Sequence, residues 1–141
     1  MNSQITVQGK LDKLLNINQW LDNLADQGNL SKSSIFAMKL CCEETFMNIV
    51  MHSYQLENTS VKEEDKVVNL AVKRSTEDII LSIEDNGIQF NPLEKEEKMI
   101  PTDLKDVQIG GLGISLMKKF SKSIHYEPKS VGNRLIFQFQ Q

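Results

Sequence analysis

Arginine is nearly absent from this 141-residue chain: only Arg74 and Arg134 occur, among 16 basic residues set against 19 acidic ones. With a net charge of −3 there is no basic stripe to supply the phosphate contacts of DNA or RNA binding, which argues against a direct nucleic-acid partner. Cysteine is confined to the adjacent pair Cys41 and Cys42, poorly placed to staple a fold, and no second Cys or His pair lies at zinc spacing. The pair reads as core, because a free Cys packs as a small hydrophobe. No apolar run approaches the about 18 residues of a membrane span, and the opening MNSQITVQGKLDKLL has no signal-peptide core. A cytoplasmic protein without membrane contact is therefore expected. Internal repeats and low-complexity tracts are also missing. What remains is ordinary for a soluble domain, 40% hydrophobic and 25% charged, at a length suited to one core. Residues 1–141 are expected to form a single domain.

Periodicity places the elements. SQITVQGK alternates as a short strand. Leu11, Leu14, Leu15, Ile17, Trp20, Leu21 and Leu24 recur at helical spacing up to Gly28, the expected C-cap. Ser31 to Ser34 offer N-caps for a second helix reaching about Tyr54. KVVNLAVKRS and DIILSIED read as strands, and IGGLGISLMKKFSK as a glycine-initiated helix. SIHYEPKS and RLIFQFQ form a hairpin, with Gly132 and Asn133 near its turn. The order β-α-α-β-β-loop-α-β-β points to an α+β two-layer sandwich: a mixed, mostly antiparallel sheet with helices on one face.

Three segments carry polar groups that packing alone does not explain. In EETFMNIVMHSY, residues 43–54, Glu44, Asn48 and His52 stack at i, i+4 and i+8 along an otherwise apolar helix. They span about 80° of its circumference. A helix apolar all round is normally buried, and an unpaired carboxylate there is costly, so the stripe needs hydrogen-bonding partners or a ligand. In EDNGIQFNP, Asp85 ends a strand and Asn86-Gly87 signals a turn. A tight hairpin explains DNG alone. The chain, however, continues into a charged loop of about 16 residues, which in a compact domain reads as a lid or binding loop. Third, Gly110, Gly111 and Gly113 precede an apolar helix, where backbone N–H groups can approach an anion. A plain loop-to-helix junction is the other reading, and neither a P-loop nor a dinucleotide fingerprint is present.

In order and spacing the three segments together resemble the ATP-binding domain of the GHKL superfamily, over roughly residues 5–140. Within it, GGLGISLMKKF and the single-domain format look most like the anti-sigma-factor serine/threonine kinases. The resemblance implies a histidine-kinase-like (Bergerat) ATPase fold, a lid at about 93–109, and ATP and Mg²⁺ as cofactors. It further implies that Asp85 accepts a hydrogen bond from the adenine amine, that Gly87 leaves room for the ring, and that Phe90 belongs to the same box. Asn48 would give Mg²⁺ a neutral oxygen, which suits an ion that takes few protein ligands. Gly110, Gly111, Leu112 and Gly113 would face the phosphates, and Glu44 would be the general base. Glu43 is its rival, but sits about 100° around the helix.

The function so implied is an anti-sigma factor that phosphorylates a serine on an anti-anti-sigma protein and sequesters a sigma factor, working as a homodimer through apolar residues of the first strand and helix. An ATP-gated binding module without kinase activity is the alternative. Gln89 and Asn91 depart from the family's box, where a second glycine and an acidic residue are common. His52 is expected to be structural, hydrogen-bonded at the helix end, and His125 to lie on the surface. Met38, Met47 and Met51 are expected in the core, and residues 94–98 at the solvated tip of the lid.

Overall fold

A computed structural model of the chain describes residues 2–54, 62–94 and 112–141, with only the backbone given at Leu112. The main elements are β1 (Asn2–Gln8), α1 (Leu14–Gly28), α2 (Lys32–Asn48), β2 (Val67–Arg74), β3 (Asp78–Asp85), α3 (Leu112–Phe120), β4 (Ser123–Pro128) and β5 (Asn133–Gln140). This is the order expected, and it folds as the expected α+β sandwich. One point is corrected: the sheet is not mixed. Its five strands lie in the order β1-β2-β3-β5-β4, and every described pairing is antiparallel. β3 and β4 run in the same direction, but β5 fills the gap between them, so no neighbouring pair is parallel.

Period-2 alternation decides which face is covered. Val68, Leu70 and Val72 of β2, Ile79, Leu81 and Ile83 of β3, and Leu135, Phe137 and Phe139 of β5 are all buried beneath the helices. α1 contributes Ile17, Leu21 and Leu24 at i, i+4 and i+7, while Leu11 and Leu15 stay exposed. The Trp20 indole N–H donates to Ser3 Oγ at 3.0 Å, which ties α1 to the sheet edge. The left-handed cap of α1 is Asn29 (φ 51°), one residue beyond the expected Gly28.

Ser31 caps α2 as expected, its Oγ accepting from the Ser34 N–H at 3.1 Å. The helix buries Ser34, Ala37, Met38, Cys41, Cys42, Thr45 and Phe46. Burial pushes the Cys41 thiol up to about 12 and raises Cys42 further, so both are inert core groups. Met38 is in the core, but Met51 is 45% exposed, contrary to expectation. No helix among the described residues is long and apolar enough to cross a membrane.

Candidate functional site

The same alternation that buries the sheet's apolar rows delivers two polar side chains to the end of the core. Asp85 continues the row Ile79, Leu81, Ile83, and Asn133 continues Leu135, Phe137, Phe139; the two are register partners across β3 and β5. Both are buried, at 4% and 6% exposure. Asn133 Nδ2 donates to Asp85 Oδ1 at 3.0 Å and to the Ile88 carbonyl at 2.9 Å. Its Oδ1 accepts from the Phe90 N–H at 2.7 Å and from the Tyr126 hydroxyl. Asp85 also accepts from the Gly87 N–H at 2.9 Å. Burial raises the Asp85 pKa, against the lowering effect of the hydrogen bonds from Gly87 and Asn133. The sequence reading placed Asn133 in a turn; continuing the period of two back from Leu135 would have put it beside Asp85.

Facing this pair is the C-terminal end of α2. After Asn48 the helix widens into a π-helical turn, Ile49–Ser53, closed by the Tyr54 N–H donating to the Ile49 carbonyl at 3.1 Å. The Ser53 carbonyl, left without a helical partner, accepts from the Ile88 N–H at 3.0 Å, which joins the helix end to the turn after β3. Thr45, Asn48, Ile49 and Ser53 then form one wall of a cavity whose others come from Ile83, Asp85, Leu135 and Asn133, with Phe90, Pro92 and Tyr126 closing it. The cavity holds about 20 Å³, little more than one water needs. His52 stacks on Phe90 with ring centroids 4.8 Å apart, so its described role is in this wall.

Gly87 is required by the fold itself. A Cβ there would lie 2.8 Å from Ser53 Cβ and closer still to the Ser53 carbonyl oxygen, whatever occupies the cavity. The turn is clamped from below by Tyr54, another residue the sequence did not single out. Its hydroxyl donates to the Val67 carbonyl at 2.6 Å and accepts from the Asn86 N–H at 3.1 Å. Burial pushes the hydroxyl up to about 12, so it stays protonated as donor. Tyr54→Phe is expected to cost about 1–3 kcal/mol, because two backbone groups lose their partner, and denaturant unfolding will measure it.

Glu44 points the other way along the stripe, toward α3. A Cβ on Gly113 would fall 2.9 Å from Glu44 Cδ, so the start of α3 rests directly on this carboxylate. Burial first, then repulsion from Glu43, raises the Glu44 pKa. Glu43 is exposed and does not share that position. Gly110 and Gly111 lie outside the described residues, as does 95–109 of the segment expected to be a lid; Leu112 is placed by its backbone at the start of α3. The two departures from the expected box have local jobs. Gln89 Nε2 donates to the Lys129 carbonyl, and Asn91 Oδ1 accepts from the Leu93 N–H at 2.9 Å, stabilising the single turn Pro92–Glu94.

The donor set suits a nucleotide. A buried carboxylate at the floor of a cavity walled by Ile49, Ile83, Leu135 and Phe90 fits an amine on a flat ring. No group of three or more His, Cys, Asp or Glu among the described residues could cage a metal. The single amide oxygen of Asn48 on the cavity wall fits a cation held mainly by phosphates and water.

Comparison with known proteins identifies the family and the fold. The family model described as the histidine kinase-like ATPase domain matches residues 7–139. The serine/threonine-protein kinase BtrW of Bordetella bronchiseptica is 27% identical over 116 residues, 82% of this chain and 78% of that protein. An anti-sigma F factor of Clostridium perfringens is 26% identical over 102 residues, 72% of this chain and 69% of that one. Among solved structures, the RsbU and RsbW domains of a Mycobacterium tuberculosis protein superpose with a TM-score of 0.67 at 13% identity. The match covers 99% of this chain and 31% of that one. The histidine kinase domain of a blue-light-activated kinase from Erythrobacter litoralis gives 0.56 at 13%, over 94% and 61%. These two likenesses concern the fold.

Proposed function

Because the chain belongs to the histidine kinase-like ATPase domain family, we propose that it binds Mg²⁺·ATP between α2 and the end of β3. In this reading it is an anti-sigma regulatory factor that phosphorylates a serine on an anti-anti-sigma protein and holds a sigma factor inactive. The observation that carries the proposal is a convergence: Asn48 and Glu44 follow one another on one face of α2, Asn48 lining the same cavity as the buried Asp85 at the end of β3 and Glu44 lying against Gly113 at the start of α3. The relatives named as a serine/threonine kinase and an anti-sigma F factor support the regulatory direction. A homodimer is part of the reading, with Leu11, Leu15 and the outer edge of β1 available for the contact.

Each residue has a defined task. Asp85, held by Asn133 and the Gly87 N–H, accepts a hydrogen bond from the amine of the base, while Phe90 walls the ring. Asn48 offers an oxygen to Mg²⁺, which when bound offsets phosphate charge. Backbone N–H groups of Gly110, Gly111, Leu112 and Gly113 face the phosphates. Glu44 takes the proton of the attacking serine. The serine oxygen bonds to the γ-phosphorus as the bond from that phosphorus to the β–γ bridging oxygen breaks, and ADP leaves with the electron pair.

The test is a thermal-shift titration with Mg²⁺·ATP. At about a hundred times Kd, binding adds about 2.7 kcal/mol, a rise of several degrees. Asp85→Asn should abolish the rise, and Asn48→Ala its Mg²⁺-dependent part; no rise at millimolar ATP in the wild type sinks the proposal. In the absence of nucleotide, Asp85→Asn should gain on the wild type as pH increases. Asp85 is raised in the folded state, so the stability its proton contributes is full below the unfolded pKa and is lost as pH climbs through the folded one. Asn has no such loss, and denaturant melts from acid to neutral pH will show the gap.

A further inference from the structure

At the opposite ends of the two helices that meet at Glu44 and Gly113, two phenylalanines lie in the open. Phe36 of α2 is 56% exposed and Phe120 of α3 37%, yet their rings pack edge to face with centroids 5.4 Å apart. Scattered exposed apolar residues are normal on any surface, but two aromatic rings assembled outside the core form a continuous patch, and aromatics are enriched at the centres of protein interfaces. Beside them a hollow of about 360 Å³ opens between the start of α2 and the end of α3, lined by Ser33, Ser34, Ala37, Lys119, Lys122 and Phe139 among others. Charge sorts the possible occupants. The chain carries three more acids than bases, yet among the described residues both ionisable ones in this lining are lysines and none is a carboxylate. Lys122 is held by Asp78 at 3.3 Å, and Lys119 lies 5.8 Å from the Phe120 ring centroid. The 17-residue α2 also turns its N-terminal, positive end toward the hollow through Ser33 and Ser34.

We propose that the Phe36–Phe120 face is a docking surface for an acidic segment of a partner protein. The segment sets an apolar side chain against the two rings and its carboxylates toward Lys119 and the start of α2. Such complementarity selects partners by sign and speeds encounter. The face does not overlap the nucleotide site: Phe36 precedes Glu44 by eight positions, about 12 Å along the helix axis. The titration therefore needs no nucleotide, and its outcome does not share the fate of the nucleotide proposal.

The experiment is an NMR titration of the isotope-labelled full chain with the capped peptide Asp-Glu-Leu-Phe-Glu-Glu-Leu-Asp. Its controls are the same peptide with Lys at every acidic position and an oligothymidylate of matching charge. The expected result is saturable shifts confined to residues 33–37, 119–122 and 139–140, weakened about threefold by added salt and unchanged in Asp85→Asn. Phe36→Ser and Lys119→Glu should each weaken binding about tenfold; Lys119→Glu, on the surface, should leave the melting temperature unchanged, and Phe36→Ser should lower it only slightly through loss of the ring contact with Phe120. Four outcomes overturn the proposal: no saturation at millimolar peptide, equal binding of the basic peptide, equal binding of the oligothymidylate, or shifts centred on Asp85. Concentration-dependent self-association abolished by Phe36→Ser also overturns it, since the occupant is then a second copy of this chain.

Discussion

Glu44→Gln should lower phosphoryl transfer by about 10²–10⁴-fold while leaving the Mg²⁺·ATP thermal shift intact. The substitution preserves volume and polarity against Gly113, so the start of α3 keeps its seat, but the amide cannot take a proton. The same environment predicts the pH dependence. Burial and the neighbouring Glu43 both raise Glu44, so it is protonated and inactive as a base at a pH where an ordinary glutamate is already ionised. The rate should therefore climb with pH along a limb displaced above the usual glutamate range. Glu43→Gln removes the like charge and should move that limb to lower pH with little loss of maximal rate. If Glu43→Gln instead abolishes transfer and Glu44→Gln spares it, the two residues exchange roles. If the wild type binds ATP and its protein partner but transfers nothing, the chain is the nucleotide-gated capture module that the sequence also allowed.

How much of this was legible beforehand depends on how local each signal is. Helical spacing in α1 and α2 and alternation in the strands are properties of neighbouring residues, and with the turn signals between them they gave the order of the main elements. The Glu44–Asn48 stripe was legible because a polar row on an apolar helix violates the pattern around it. Asn133 was missed because Gly132-Asn133 also spells a turn; the alternation of β5 carries back to it from Leu135, but its partner Asp85 lies 48 residues earlier and is joined to it only by register. Tyr54 and Ser53 were hidden for a related reason. Their partners, Val67, Asn86 and Ile88, come from distant chain, and the π-helical turn that aims them leaves no periodic trace. The sheet was expected to be mixed because element order alone does not say that β5 slots between β3 and β4. Gly87 was tied to the ring of a ligand, whereas the close approach of the Ser53 backbone already excludes a side chain there.

Gly132→Ala is expected to be the most damaging alanine substitution among the described glycines, and its effect should reach the site. Gly132 has φ +91°, where a side chain strains the backbone by about 1–3 kcal/mol. A Cβ at this position would also lie 2.7 Å from both Asp85 C and Asn86 Cα, and closer still to the Asp85 carbonyl oxygen. These are backbone atoms in the last residue of β3 and the turn after it, so no flexible side-chain tip can give way, and overpacking of this kind adds about 1–3 kcal/mol. The sum, about 2–6 kcal/mol, is a large share of the 5–15 kcal/mol typical of a whole domain. The strain falls on the Asp85–Asn133 pair, because the clash pushes β5 away from β3 at that register position. Loss of stability should therefore come with loss of ATP affinity in whatever fraction still folds. Val131→Ala, at a neighbouring position 59% exposed, should change neither. Urea unfolding of both variants, followed by the ATP titration, decides the matter. A Gly132→Ala protein within about 0.5 kcal/mol of the wild type and still binding ATP would mean that β3 and β5 do not approach as closely as this turn requires.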